Sequence, residues 1–445
     1  MAGASSGQTD GHQLPPIEIT RWSEDYSVLA DPPGPDGILQ RMKWIELDDE
    51  RGVVLTTGGS IREQFEGYRN RAFGFEDGDD DFYLLHRTTI HADLRLGDHA
   101  RVFGEVASAL IAGRDVEPSP VDENEFFLHQ GFLDLRARGG PAVLRLGRQE
   151  FSLGSGRLFS LRDGPNVRLA FDGARLTLAS RDTVTDLFVL QPVDIRLGVF
   201  DDRISDDTVT WGVHTAIDVG AVGGVDVYYI GIAREGRSFG NAAGNETRHS
   251  FGSRWYIDRG GFDANLEGVV QIGSLGDADI FAWTIASDTG HSWDEVAWSP
   301  RLGLRANISS GDRYGAGRTG TFDPLFPNNS YFSEAAVISP SNLIDLNPTL
   351  TLRPDAETEI TAMWDFVWRT SVRDAVYGPP GVPLFDAALS DGRFVGHSVS
   401  LLARREMGRH VTANAAYTHF SSGDAVTEAG GDDVDYLAVW VEFKL

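Results

Sequence analysis

The chain closes with VDYLAVWVEFKL, residues 434 to 445, in which apolar and polar positions alternate. Leu437, Val439, Val441, Phe443 and Leu445 form one apolar set. Tyr436, Ala438, Trp440, Glu442 and Lys444 form a mixed set that ends in two charges. A period of two belongs to a strand with unlike faces. The same period runs from Val53 onward. IHADLRL sets Ile90, Ala92 and Leu94 against His91, Asp93 and Arg95. FDANLEGVVQI sets Phe262, Ala264, Leu266 and Ile272 against Asp263, Asn265, Glu267 and Gln271. EITAMWDFVWR sets Ile360, Ala362, Trp364, Phe366 and Trp368 against Glu359, Thr361, Met363, Asp365 and Arg369.

About eighteen such segments follow one another at roughly 25 residues each, connections included, which is the spacing of a transmembrane β-barrel. The breaks between them alternate in kind. LGDH at 96–99, RGGP at 138–141, GAVGG at 220–224, DRGG at 258–261 and MGRH at 407–410 are tight. GFEDGDDD at 74–81, DVEPSPVDEN at 115–124, FDDRISDD at 200–207, residues 310–342 and SGDAVTEAGGDD at 422–433 are long, and most are acidic. Short turns at one rim and long loops at the other describe an up-and-down meander. A soluble sandwich or propeller would use strands nearer five or six residues, with domain breaks. The predicted fold is therefore all-β: an antiparallel transmembrane barrel of about eighteen strands. The final strand is expected to close the barrel by pairing with the first around Ser60 to Tyr68, its apolar face toward lipid.

The chain divides into a leader, 1–50, and a single barrel, 51–445. The leader sequence PPIEITRWSEDYSVLADPPGPDG is Pro-rich and acidic without a clear period, and reads as an extended segment. MAGASSGQTDGHQLPP lacks an apolar h-region, which fits a cytosolic chain or a mature one without its signal peptide.

Charge changes the picture next. A net charge of −27 excludes a nucleic-acid partner, because no surplus of cations neutralises phosphates. Cysteine is absent, which excludes disulfides and thiolate metal sites. Only Lys43 and Lys444 are lysines, so the cations are arginines, whose planar fork suits carboxylates. Arg62, Arg87, Arg95, Arg136, Arg145, Arg254, Arg301, Arg305, Arg353, Arg369 and Arg404 fall on the polar parity. Glu66, Asp93, Asp134, Glu267 and Asp365 are interspersed with them. Such residues either pair into ladders that stiffen the wall or line a pore for an anion.

The stretch RLGRQEFSLGSGRLFSLRDGPNVRLAFDGAR, 145–175, concentrates Arg145, Arg148, Arg157, Arg162, Arg168 and Arg175 among few acids. Folded inward, it would place cations at a constriction. Arg148 shares the parity of Leu144 and Leu146, which suggests a bulge near Gly147. No hydrolase or dehydrogenase motif is present, and the histidines are scattered, so neither enzyme nor cofactor is expected. The acidic run 76–81 offers carboxylates to Ca²⁺ but lacks EF-hand spacing, and reads as a solvated loop.

The order of these motifs resembles the outer-membrane alginate-export proteins. RWSEDYSVLADP precedes LTTGGSIREQFEGY; LRLGRQEF is followed by GPNVRLAFDGARL. PRLGLRANISSGD, TFDPLFP, SPSNLIDLNPTLTL, WDFVWRTSVRDAVYG and RFVGHSVSLLARRE come later. The resemblance implies a monomeric barrel in outer-membrane lipid with both termini in the periplasm. It also implies that a polyanionic saccharide passes an arginine-lined constriction, with periplasmic export components as further partners. The positions matching that lining are Arg62, Arg87, Arg136, Arg145, Arg305 and Arg369. The reading that results is a passive channel for anionic solutes, such as alginate or other uronate-rich saccharides. Its candidate lining is Arg62, Arg87, Arg136, Arg145, Arg148, Arg168, Arg175, Arg305, Arg369, Asp93, Asp134 and Asp365. Alternatives are an uptake porin for small hydrophilic or aromatic acids, and a barrel enzyme or surface-binding protein that uses the long loops.

Overall fold

A computed structural model describes residues 14–30, 41–76, 80–137, 140–315 and 317–445. Eighteen antiparallel strands form one closed wall. The first six are β1 (Val53–Arg69), β2 (Asp81–Leu96), β3 (Ala100–Ala112), β4 (Asn124–Arg136), β5 (Ala142–Gln149) and β6 (Phe171–Ala179). The next six are β7 (Thr183–Asp194), β8 (Thr208–Asp218), β9 (Gly224–Phe239), β10 (Ala242–Arg259), β11 (Phe262–Leu275) and β12 (Ala278–Ser292). The last six are β13 (Arg301–Ser309), β14 (Leu343–Asp355), β15 (Thr358–Arg369), β16 (Phe394–Met407), β17 (Val411–Ser422) and β18 (Val434–Lys444). Each strand pairs with its chain neighbours, and β18 returns to β1 from Ser60↔Lys444 to Tyr68↔Tyr436. Closure at the expected seam leaves no free edge.

Alternation decides which face looks where. On β18, Leu437, Val439, Val441 and Phe443 are 43%, 47%, 44% and 39% exposed on the outer wall. Tyr436 and Ala438, at 2% and 0%, face inward. An exposed apolar outside around a polar, buried inside is the reverse of a soluble core, and it is what a lipid-facing wall requires.

The two rims differ as the breaks predict, with two exceptions. At the long-loop rim, 240–241 and 276–277 are tight turns, because β9 to β12 extend as unusually long strands of 16, 18, 14 and 15 residues. Two long loops fold back into the barrel instead of outward. Residues 150–170 and 310–342 meet there, where Phe326 N donates to Leu158 O (2.9 Å) and Ser160 N to Phe326 O (3.0 Å). Phe151, Phe159, Phe322 and Leu325 of these loops pack with Phe171, Phe188 and Ile230 of the wall into an apolar core inside the barrel.

Lipid exposure of β18 gives a direct check. Val439→Arg, at the middle of the strand, is expected to destabilise the barrel by about 2–4 kcal/mol, and Val53→Arg at the rim by about 0–1 kcal/mol. Denaturant titration in lipid vesicles measures both; equal, negligible losses would contradict an outer face in hydrocarbon.

Candidate functional site

The lumen is organised around the inward loop 150–170. Arg62, on β1, and Arg87, opposite it on β2, point in with their guanidinium groups buried. Arg62 donates to the carbonyls of Asp163 (2.8 Å), Gly164 (3.1 Å) and Pro165 (3.3 Å). Arg87 donates to the Asp163 carbonyl and, at 2.7 Å, to its carboxylate. Arg168, inside the loop, reaches Glu150 (2.9 Å), Glu105 (3.5 Å) and Asp163 (3.6 Å). Burial opposes ionisation of Asp163, but Arg87, Arg168 and Arg62 outweigh it and hold its carboxyl below the usual range. These arginines clamp the inward loop in place.

Most other lumen arginines are matched by wall carboxylates. Arg145 grips Asp134 through Nε (2.7 Å) and Nη2 (2.9 Å). Arg101 grips Asp93 at 2.6 and 2.7 Å. Arg175 meets Asp186 (2.8 Å), and Arg305 meets Asp288 (2.9 Å) and the Tyr331 carbonyl (3.2 Å). Bidentate fork-to-fork contact is the strong form of this pairing. Asp365 is buried on β15 beside no such fork, and its Oδ1 has no protein partner among the described residues.

Three positions depart from the expected lining. Arg148 faces the outer wall and pairs with Asp172 at 2.8 Å. The register of β5 on β4 runs from Arg136↔Val143 to Gly131↔Arg148 without a shift, so no bulge turns it inward. Gly147 sits at φ 125° because a Cβ there would lie 2.3 Å from the Gly131 carbonyl oxygen. Arg369 is fully buried and donates to the carbonyls of Ser390 and Gly392 (2.9 Å each), so it organises loop 370–393. Arg136 lies exposed at the short-turn rim.

The short-turn half of the lumen holds the leader. Trp22 lies over Arg145, whose guanidinium carbon is 3.8 Å from the indole and 3.7 Å from the Phe132 ring. Arg95 donates to Asp25 Oδ1 (3.0 Å) and Glu24 O (2.8 Å). Lys43 is buried over the Tyr26 ring at 5.1 Å; burial, then Arg21, pushes its ammonium down to about 8.

Toward the long-loop rim opens a cavity of about 470 Å³, lined by Tyr68, Tyr83 and Tyr436, by Arg71, Arg114 and Arg162, and by Glu66 and Glu334. Glu66 accepts from the Tyr83 hydroxyl at 2.7 Å. Among the described residues the Arg162 guanidinium donates only through Nε, to Pro327 O (3.1 Å), and has no carboxylate in ion-pair range. Burial alone pushes it down to about 10, so it remains a cation at neutral pH. Arg71, Arg101 and Arg114 fall outside the sequence-derived lining. Arg101 was accessible from its polar parity in ARVFGEVASA, whereas Arg71 and Arg114 lie past strand ends where parity stops.

Among the described residues no group of three or more His, Asp or Glu is arranged to hold a metal ion. The acidic run 76–81 falls partly outside the described residues, at 77–79.

Glu334 gives a pH prediction. Burial, with Glu66 and Asp163 nearby, raises it to about 7 against the Ser330 hydrogen bond. A raised carboxyl favours the folded loop below the ordinary value near 4.5, and this is lost as pH rises through 7. The melting temperature is expected to fall between pH 5 and 8, and Glu334→Gln to remove much of that slope. An unchanged slope would contradict the assignment.

Comparison with known proteins completes the picture. No curated protein matches the chain. Its fold is similar to OccK2 (OpdF) of Pseudomonas aeruginosa, solved in complex with glucuronate, at 11% identity and a TM-score of 0.59, covering 88% of this chain and 98% of that one. It is also similar to OccAB1 of Acinetobacter baumannii, at 10% identity and a TM-score of 0.58, covering 91% and 99%. The sequence model for alginate export matches residues 53–440, nearly the whole wall. With that match and a closed, lipid-facing barrel, the chain belongs to the alginate-export family and is an outer-membrane β-barrel channel.

Proposed function

We propose that the channel is passive and carries anionic solutes of the uronate class, with the 470 Å³ vestibule as its recognition site. One observation carries this reading: Arg162 presents to a cavity edged by three tyrosines a cation that has no carboxylate partner among the described residues. A guanidinium replaces the hydration of a passing carboxylate, and tyrosine rings and hydroxyls meet a sugar's faces and hydroxyls. Glu66 and Glu334 keep the site from holding an anion too tightly, as conduction requires. Transport of this kind needs no catalytic step. The glucuronate named with OccK2 supports the same class of solute, and it favours a second reading, uptake of single-ring acids instead of passage of a polymer.

Block of single-channel current by added uronates tests the proposal. Trimeric uronate is expected to block in a concentration-dependent way, and Arg162→Ala to weaken the block about tenfold, equivalent to about 1.4 kcal/mol. Block by neutral trisaccharides at equal strength, or an unaltered block in Arg162→Ala, would overturn it. Liposome swelling with monomeric against oligomeric uronates separates the two readings.

A further inference from the structure

We infer that leader residues 14–30 are a tethered plug, which fills an anion subsite made by Arg95, Arg101 and Arg145 at the periplasmic half of the lumen and must leave for solute to pass.

The leader is seated by side chains, not by the sheet. No residue of 14–30 joins the wall's ladder; the first pairing after it is the short strand Ile45–Asp48 on β1. Arg101 Nη2 donates to Trp22 O at 2.6 Å, Arg95 holds Asp25 and Glu24 O, and Arg145 stacks under the Trp22 indole. The occupant therefore presents a carboxylate, carbonyl oxygens and a flat ring to three guanidinium groups. These are the groups that a uronate or an aromatic acid would present to them. The segment LPPIEITRWSEDYSVLA carries Glu18, Glu24 and Asp25 against Arg21 alone, so its net charge has the sign of the proposed solute.

Occlusion is measurable. Arg21, Glu24 and Tyr26 are 5%, 4% and 1% exposed, as deep as core residues. Between the leader and the constriction loop, the space bounded by Ile19, Arg21, Asp163, Arg168, Glu442 and Lys444 is about 10 Å³. That is room for about one water molecule and far too small for a sugar ring.

Release is also built in. The wall arginines have partners besides the leader: Arg101 and Arg145 fork on Asp93 and Asp134, and Arg95 lies 3.5 Å from Asp93. On the leader side the fit is incomplete. Trp22 Nε1 is buried without a hydrogen-bond partner among the described residues, so seating it is penalised and an incoming anion competes against a weakened contact. The wall stands alone while the plug does not hold perfectly.

The inference rests on the channel reading but not on the solute's identity, so the test is read in KCl. Deleting residues 14–30 from the full chain is expected to raise single-channel conductance at least threefold and to speed liposome swelling. A deletion that inserts as a folded, heat-modifiable barrel with unchanged conductance overturns the plug. A second arm needs no deletion. The chain has no cysteine, so Trp22→Cys with Phe132→Cys, whose native rings are 6.3 Å apart, joins leader to wall through a cleavable bis-thiol reagent. Joined protein should conduct less than the same protein after cleavage; identical conductance before and after cleavage contradicts the inference. A conductance rise on deletion accompanied by a selectivity shift toward cations would overturn the anion subsite and leave the plug standing.

Discussion

The clamp of Arg62 and Arg87 on residues 163–165 is the contact on which the rest of the lumen depends. An eighteen-strand wall encloses more space than its own side chains fill, so the inside must be built from returning loops. Loop 150–170 has no ladder to hold it. Two guanidinium groups from the seam of the barrel, β1 and β2, take up its exposed carbonyls and one carboxylate instead. With that loop fixed, Phe159 meets Phe326 and loop 310–342 packs on it. The leader meets the same loop from the short-turn side. The inward fold of loop 150–170 thus originates in a few charge-assisted hydrogen bonds between segments a hundred residues apart.

The abundance of arginine does not by itself make the pore electropositive. Pairs such as Arg175–Asp186 and Arg305–Asp288 are neutral units that brace adjacent strands. Selectivity then falls to the charges left over. Arg162 has no carboxylate in ion-pair range among the described residues, and Arg62 and Arg369 spend their charge on backbone carbonyls. A net charge of −27 is compatible with the proposed anion site because many acids lie in wall pairs and long loops.

The wall was legible in the sequence because its rule is local. A period of two assigns Leu437 to lipid and Tyr436 to the lumen, and strand length with rim asymmetry gives closure near eighteen strands. The loops and leader were not, because their contacts obey no period. Arg95 meets Asp25 across 70 positions and Arg62 meets Gly164 across 102. Nothing near Trp22 in the chain announces that Arg145 will stack on it. Arg148 shows the same limit from the other side: its parity pointed outward, and the bulge invoked to turn it inward does not exist because Gly147 keeps the register. Strand parity was the sounder guide there than the clustering of arginines.

The proposed anion selectivity, from paired walls and a few uncompensated cations, has one direct electrical consequence. The measurement is the reversal potential of the open channel under a KCl gradient at neutral pH. The account predicts a reversal potential displaced toward the chloride equilibrium potential, and displaced less in Arg162→Ala. A reversal potential on the potassium side, unchanged by that substitution, would contradict it.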